Sequence, residues 1–165
     1  MLRPERLTLK AQEAFRDASE DARRRGNPVL NDTHLFAALL AQDEGVVQPL
    51  LQKAGLNIAA LKDAVERELA RLPRQEGATG EPTFSRELHK VFDRAEAEAK
   101  ALKDAYVSTE HLILGLAAEK GTTARNLLNA SEVTADVLRE ALEGVRGGHR
   151  VSDQSPEDQY QALQR

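Results

Sequence analysis

Four histidines and 27 carboxylates, with no cysteine, are the groups in this 165-residue chain that could do acid–base or metal chemistry. Without thiols there is no thiolate zinc site, no cysteine nucleophile and no disulfide frame. His34 and His111 share a setting, each three residues after a short polar residue (Asn31, Ser108) and followed by leucine. A metal would need further ligands at helical spacing, such as His-Glu-x-x-His, and neither histidine has them. Both read as structural histidines that satisfy local hydrogen bonds, and no metal is expected. Gly115-Leu-Ala-Ala-Glu-Lys-Gly-Thr122 has the residue types of a phosphate loop in the wrong order, lysine preceding glycine, so no nucleotide site is expected. Serine and aspartate occur without a nucleophile-elbow signature, and Glu96 and Glu98, two residues apart, do not share a helix face. The chain reads as a non-enzyme.

Composition narrows the remaining classes. The hydrophobic fraction is 41%, the charged fraction 30% and the formal net charge −4. That is too apolar for a disordered tail and offers no basic field for nucleic acid. No apolar run is long enough to span a membrane, and the first residues do not resemble a signal peptide. A soluble, cytoplasmic protein is expected.

The elements that position these residues come in two copies. Sliding the chain by 77 positions superposes Phe15 on Phe92, Ala18 on Ala95, Ala22 on Ala99, His34-Leu35 on His111-Leu112, Leu50-Leu51 on Leu127-Leu128 and Leu61 on Leu138. N-cap residues repeat with them: Thr8 with Ser85, Asn31 with Ser108, and Asn57 with Thr134. Gly26 ends the first helix of the first copy, and Lys103-Asp104 replaces that stop in the second. Helices are predicted at 9–25, 32–42, 46–54, 58–71, 86–103, 109–119, 123–130 and 135–144, with no strands required. Apolar stripes run along Ala11, Ala14, Phe15, Ala18 and Ala22, and along Leu88, Val91, Phe92, Ala95 and Ala99. The expectation is an all-α fold of two tandem pseudo-symmetric four-helix repeats, residues 1–71 and 84–145, joined by a Pro/Gly-rich loop at 72–83. Residues 146–165 read as a linker, with Ser155-Pro-Glu opening a further helix that the chain cuts off, as a piece of a longer protein would.

Tyr106-Val-Ser-Thr-Glu-His-Leu-Ile-Leu-Gly-Leu116, Pro49-Leu-Leu51, Arg125-Asn-Leu-Leu128 and the doubled architecture resemble the Clp amino-terminal repeat. That domain precedes the ATPase modules of Clp/heat-shock AAA+ unfoldases. The tail from Arg146 to Leu163, and Leu72-Pro73 followed by Gly77, are similar to the disaggregase branch of the family. The resemblance implies a non-catalytic, stress-related chaperone domain that engages unfolded or aggregated polypeptide. A hexameric motor would thread that client in cooperation with the DnaK system. ATP and magnesium belong to the ATPase modules, which this stretch lacks, so no cofactor is expected here, and the isolated domain is expected to be a monomer. The alternative is docking of an adaptor protein, as in protease-coupled Clp unfoldases.

Residues carried over from the family for substrate binding are Thr8, Asp104 and Glu110, with the apolar run Leu88, Val91, Phe92 and Ala95 on the first helix of the second repeat. Arg94 and Glu98 stand beside that run. Phe92 also matches Phe15, which points to burial between helices. Acidic flanks at 104 and 110 would favour clients with Lys or Arg beside hydrophobic residues, a preference that fades with salt.

Overall fold

The computed structural model describes residues 3–77, 80–147 and 150–157. Gly148, His149 and the continuation past Glu157 of the helix opened at Ser155 lie outside the described residues. Eight α-helices follow in order: α1 (Leu9–Arg25), α2 (Asp32–Leu40), α3 (Val47–Lys53) and α4 (Ile58–Ala70), then α5 (Arg86–Ala101), α6 (Thr109–Ala118), α7 (Thr123–Ala130) and α8 (Ala135–Arg146). The predicted starts hold to within a residue because side-chain caps set them. Thr8, Asn57, Ser85 and Thr134 each accept a backbone N–H three residues ahead. Thr122 does the same for α7 at the end of the would-be phosphate loop. Three helix ends differ more: α8 runs on to Arg146, where Gly147 turns left-handed at φ 58°, while α2 stops at Leu40 and α5 at Ala101.

The fold is all-α, as expected, with two short extended pairings added. Val29–Leu30 (β1) pairs in parallel with Thr83–Phe84 (β2), and Leu7 forms an isolated bridge with Val107. These are the same feature in two copies, since Leu7 and Phe84, like Leu30 and Val107, are 77 positions apart. In each case the loop between a repeat's first two helices hydrogen-bonds the segment leading into the other repeat's first helix. Ser85 N donates to Leu30 O at 2.9 Å, and Thr8 N donates to Val107 O at 3.0 Å. Segments of two residues lack the length for an alternating pattern, so periodicity carried no sign of them.

The core is aliphatic. α2 and α6 are buried on almost every side, while α1 and α5 turn their alanine-rich stripes inward. Phe15 and Phe92, equivalent in the two repeats, meet each other with ring centroids 4.5 Å apart, and Phe84 joins them at 5.8 Å from Phe92. Small residues let the helices approach closely. A Cβ placed on Gly115 would lie 2.7 Å from the carbonyl oxygen of Val91 and 3.2 Å from the backbone nitrogen of Ala95. Its counterpart in the first repeat is Ala38, so α5 and α6 are pressed together more tightly than α1 and α2.

Two outcomes follow for chemical denaturation. Gly115→Ala must push α6 off α5 and lowers stability by about 1–3 kcal/mol. Lys103, at φ 59°, occupies the left-handed position that Gly26 fills at φ 74° in the first repeat. Lys103→Gly relieves that strain and raises stability by roughly 0.5–1 kcal/mol.

Candidate functional site

The two histidines close equivalent capping boxes. Asn31 N donates to His34 Nδ1 at 2.9 Å, and Ser108 N donates to His111 Nδ1 at 2.8 Å. With Nδ1 accepting, the hydrogen sits on Nε2, which reaches Asn27 Oδ1 at 2.8 Å in the first repeat and Asp104 Oδ2 at 2.7 Å in the second. Both rings are fully buried. Among the described residues no group of three or more His, Asp or Glu stands close enough to hold a metal ion.

The change from Asn27 to Asp104 introduces a buried negative charge, and the fold answers it with Arg146 at the end of α8. Arg146 Nη1 and Nη2 donate to Asp104 Oδ2 and Oδ1 at 2.9 and 2.6 Å, a two-pronged pair shielded from solvent. Val151 N donates to Asp104 Oδ1 at 2.9 Å. Burial opposes charge on Asp104, but the hydrogen bonds from His111, Arg146 and Val151 outweigh it and hold the carboxyl well below the usual range. Glu110, also fully buried, accepts from Ser108 Oγ at 2.5 Å and lies 3.4 Å from Arg146 Nε. Burial pushes the Glu110 carboxyl up, partly offset by His111, Ser108 and Arg146.

Thr8 is the N-cap of α1, as expected, and a second partner lies far along the chain: its Oγ1 donates to Glu157 Oε1 at 2.7 Å. Thr8, Asp104 and Glu110 therefore gather in one buried polar network, which also holds Ser108, His111, Arg146 and Glu157. None of the three presents a charged or hydroxyl group to solvent, and Asp104 and Glu110 do not form exposed acidic flanks. Leu88, Val91, Phe92 and Ala95 are likewise buried, packed in the core instead of lining an open surface. The reason is the close approach of α5 to α6, which takes the whole Leu88–Ala99 stripe inward. Arg94 and Glu98, which flank that stripe, pair outward with Glu119 and Arg139.

The open apolar concavity lies one step further along the same helix. A cavity of about 610 Å³ between the end of α5 and α8 is floored by Ala101, Leu102 and Leu142 and rimmed by Glu98, Arg139, Glu143 and Arg150. Leu102, 38% exposed, is one of the few large apolar side chains left at the surface. Residue 102 falls inside the predicted helix 86–103, three residues past Ala99, but is not among the stripe residues named there. The available signal was a leucine beyond the last stripe residue, Ala99, with no core position left to occupy.

This doubled, helix-capped module, with its polar residues committed to internal bonds and an apolar groove left open, has the architecture of the amino-terminal domains that Clp ATPases carry. Residues 6–131 match the Clp repeat (R) N-terminal domain, and the chain belongs to that family. It is 40% identical over 158 residues to the chaperone protein ClpB of Mycobacterium tuberculosis, covering 96% of this chain and 18% of that protein. The chain thus spans less than a fifth of the length of the relatives it matches. The N-terminal domain of Hsp104 from Candida albicans has the same fold, with a TM-score of 0.81 at 21% identity over 92% of this chain and 98% of that one. A ClpV N-domain in complex with a VipB peptide superposes with a TM-score of 0.68 at 19% identity, covering 84% of this chain and 86% of that one. Among the described residues no helix is long and apolar enough to cross a membrane.

Arg146→Met strands the Asp104 and Glu110 carboxylates in the interior and costs roughly 3–5 kcal/mol, measured by urea denaturation at pH 7. Adding Asp104→Asn recreates the neutral pairing of Asn27 with His34 and recovers part of that loss.

Proposed function

We propose that this chain is the client-engaging, non-catalytic N-terminal domain of a ClpB-type disaggregase, taking hold of unfolded or aggregated polypeptide through the groove between α5 and α8. The observation that carries the reading is the groove itself, an exposed apolar floor with charges of both signs on its rim. Such a surface suits weak, sequence-tolerant binding of extended apolar segments. Family membership and the ClpB relatives support the assignment. In the whole protein the client would pass to a hexameric ATPase ring, with ATP and magnesium bound there and the DnaK system cooperating.

Of the three polar residues carried over, Asp104 and Glu110 keep a part in this proposal as positioning residues, whereas Thr8 holds the start of α1 and Glu157. Asp104 and Glu110 hold Arg146, which ends α8 and borders the groove. Their substitution would act on client binding by loosening that wall.

A second reading, docking of a defined segment from an adaptor protein, draws support from the peptide complex of the ClpV N-domain. Titration of the labelled domain with a permanently unfolded, apolar polypeptide tests both. Under the first reading, amide shifts cluster around Ala101, Leu102 and Leu142, and Leu102→Glu weakens binding by about tenfold, the equivalent of roughly 1.4 kcal/mol, with the melting temperature unchanged. Unaltered affinity in Leu102→Glu rules the groove out as the site. Silence toward the unfolded chain, with binding of a folded partner through the same residues, favours the adaptor.

A further inference from the structure

The segment after α8 lies against the domain along its described length. Ala105 N donates to Val151 O at 2.7 Å, Leu9 N donates to Gln154 O at 2.9 Å, and Gln154 Nε2 donates to Leu7 O at 3.3 Å. Val151 is fully buried. Beyond Gln154 an Asx turn, Ser155 N to Asp153 Oδ1 at 2.8 Å, swings the chain so that the Glu157 side chain enters the interior. There Glu157 Oε1 accepts from Thr8 Oγ1 at 2.7 Å and from Thr109 N at 3.3 Å, at the N-terminus of α6. Its other oxygen, Oε2, is buried with no hydrogen-bond partner among the described residues.

The first repeat does something similar with the loop that follows it. Asn27 Nδ2 donates to Pro73 O at 3.0 Å, and Gln75 N donates to Gly26 O at 2.8 Å. That loop is held by these neutral groups and by an ion pair of Arg23 with Glu81 at the surface. The segment after the second repeat is anchored by Asp104 and finished by an ionisable carboxyl inside the protein.

We propose that Val151–Glu157 is a latch whose closure on the domain is governed by the ionisation of Glu157. The groups facing this carboxyl come from three elements. α1 contributes the Thr8 hydroxyl. α6 contributes the Thr109 amide and the negative Glu110, with His111 and Ser108 behind it. α8 contributes Arg146 behind Glu110, which it meets 3.4 Å away while pairing with Asp104. A proton on Oε2 removes the repulsion from Glu110 and the cost of a buried charge, while Oε1 goes on accepting from Thr8 and Thr109. Ionisation restores both penalties and favours a Glu157 that has swung out to water.

Burial, reinforced by Glu110, raises the carboxyl of docked Glu157 to about 7. A carboxyl raised by docking stabilises the closed latch most fully below its free-chain range, and the stabilisation is lost as pH rises through about 7. The closing equilibrium therefore falls on the order of a hundredfold between pH 5 and pH 8. Opening frees Glu157 and the segment before it from their seat against Thr8 and Thr109. None of this depends on where clients bind.

Amide shifts of Leu9, Ala105 and Thr109, followed from pH 5 to pH 8, test the latch. The expected result is that all three titrate together with a midpoint between the free-chain carboxylate range and about 7, and that Glu157→Gln abolishes the titration and leaves them near their acid positions. Constant shifts, or an undiminished titration in Glu157→Gln, overturn the proposal and assign any pH response to the histidines or Glu110. A second measurement uses the unmodified Glu157 in a chain free of native cysteine. Spin labels on Ser152→Cys and Asp17→Cys, both exposed sites, should give one narrow distance at pH 5 and a broad distribution at pH 8. Identical distributions at the two pH values also overturn it.

Discussion

A single buried charge organises the second half of this molecule. Asp104 sits where the first repeat has Asn27, facing an equivalent histidine at nearly the same distance. An asparagine there needs only hydrogen bonds, whereas an aspartate in the interior needs a counter-charge as well. Arg146 supplies it, which requires α8 to run its full length so that its last residue reaches back to the loop after α5. Once Arg146 is in place it can also face Glu110, and the free side of Asp104 can take the amide of Val151. Part of the seat for the linker segment thus grows out of one substitution between two otherwise matching repeats.

The repeats differ sharply where their histidines point, while most of their helix starts keep a short polar cap. Caps, stripes and the 77-residue offset were legible because each is a local pattern written in residue type. The left-handed turn at Lys103 was not: the residue falls inside the predicted helix 86–103, although it aligns with Gly26. Nor was long-range pairing. Nothing local to Glu157 says that its carboxyl will meet Thr8, 149 positions away, and a Ser-Pro-Glu triplet reads the same whether the helix it opens is docked or free. The parallel pairings of Leu30 with Phe84 and of Leu7 with Val107 were hidden for a related reason: two residues are too few to show a period.

The site residues show how a correct grouping can carry the wrong exposure. Thr8, Asp104 and Glu110, scattered along the sequence, do converge in space, but inward, where they hold helix ends and linker together. The apolar run from Leu88 to Ala95 was rightly apolar and is spent on the core. What stays open lies past the end of that run, at Ala101 and Leu102, in the groove between α5 and α8. An amphipathic stripe gives the direction of burial; how far along the helix it stays covered is a property of the tertiary structure.

The crossed pairing of the two repeats also bears on how such a domain arises. Each repeat offers a loop edge that only the lead-in segment of the other can satisfy, and each contributes its phenylalanine to a contact that needs both. A lone repeat would leave two backbone edges and one aromatic face unmatched, and a second copy of itself would supply all three. The geometry is that of a symmetric dimer whose subunits have been fused end to end, with the Pro/Gly-rich loop as the splice. Held in one chain, the two halves need not be identical, and here one of them carries an aspartate and the arginine that answers it.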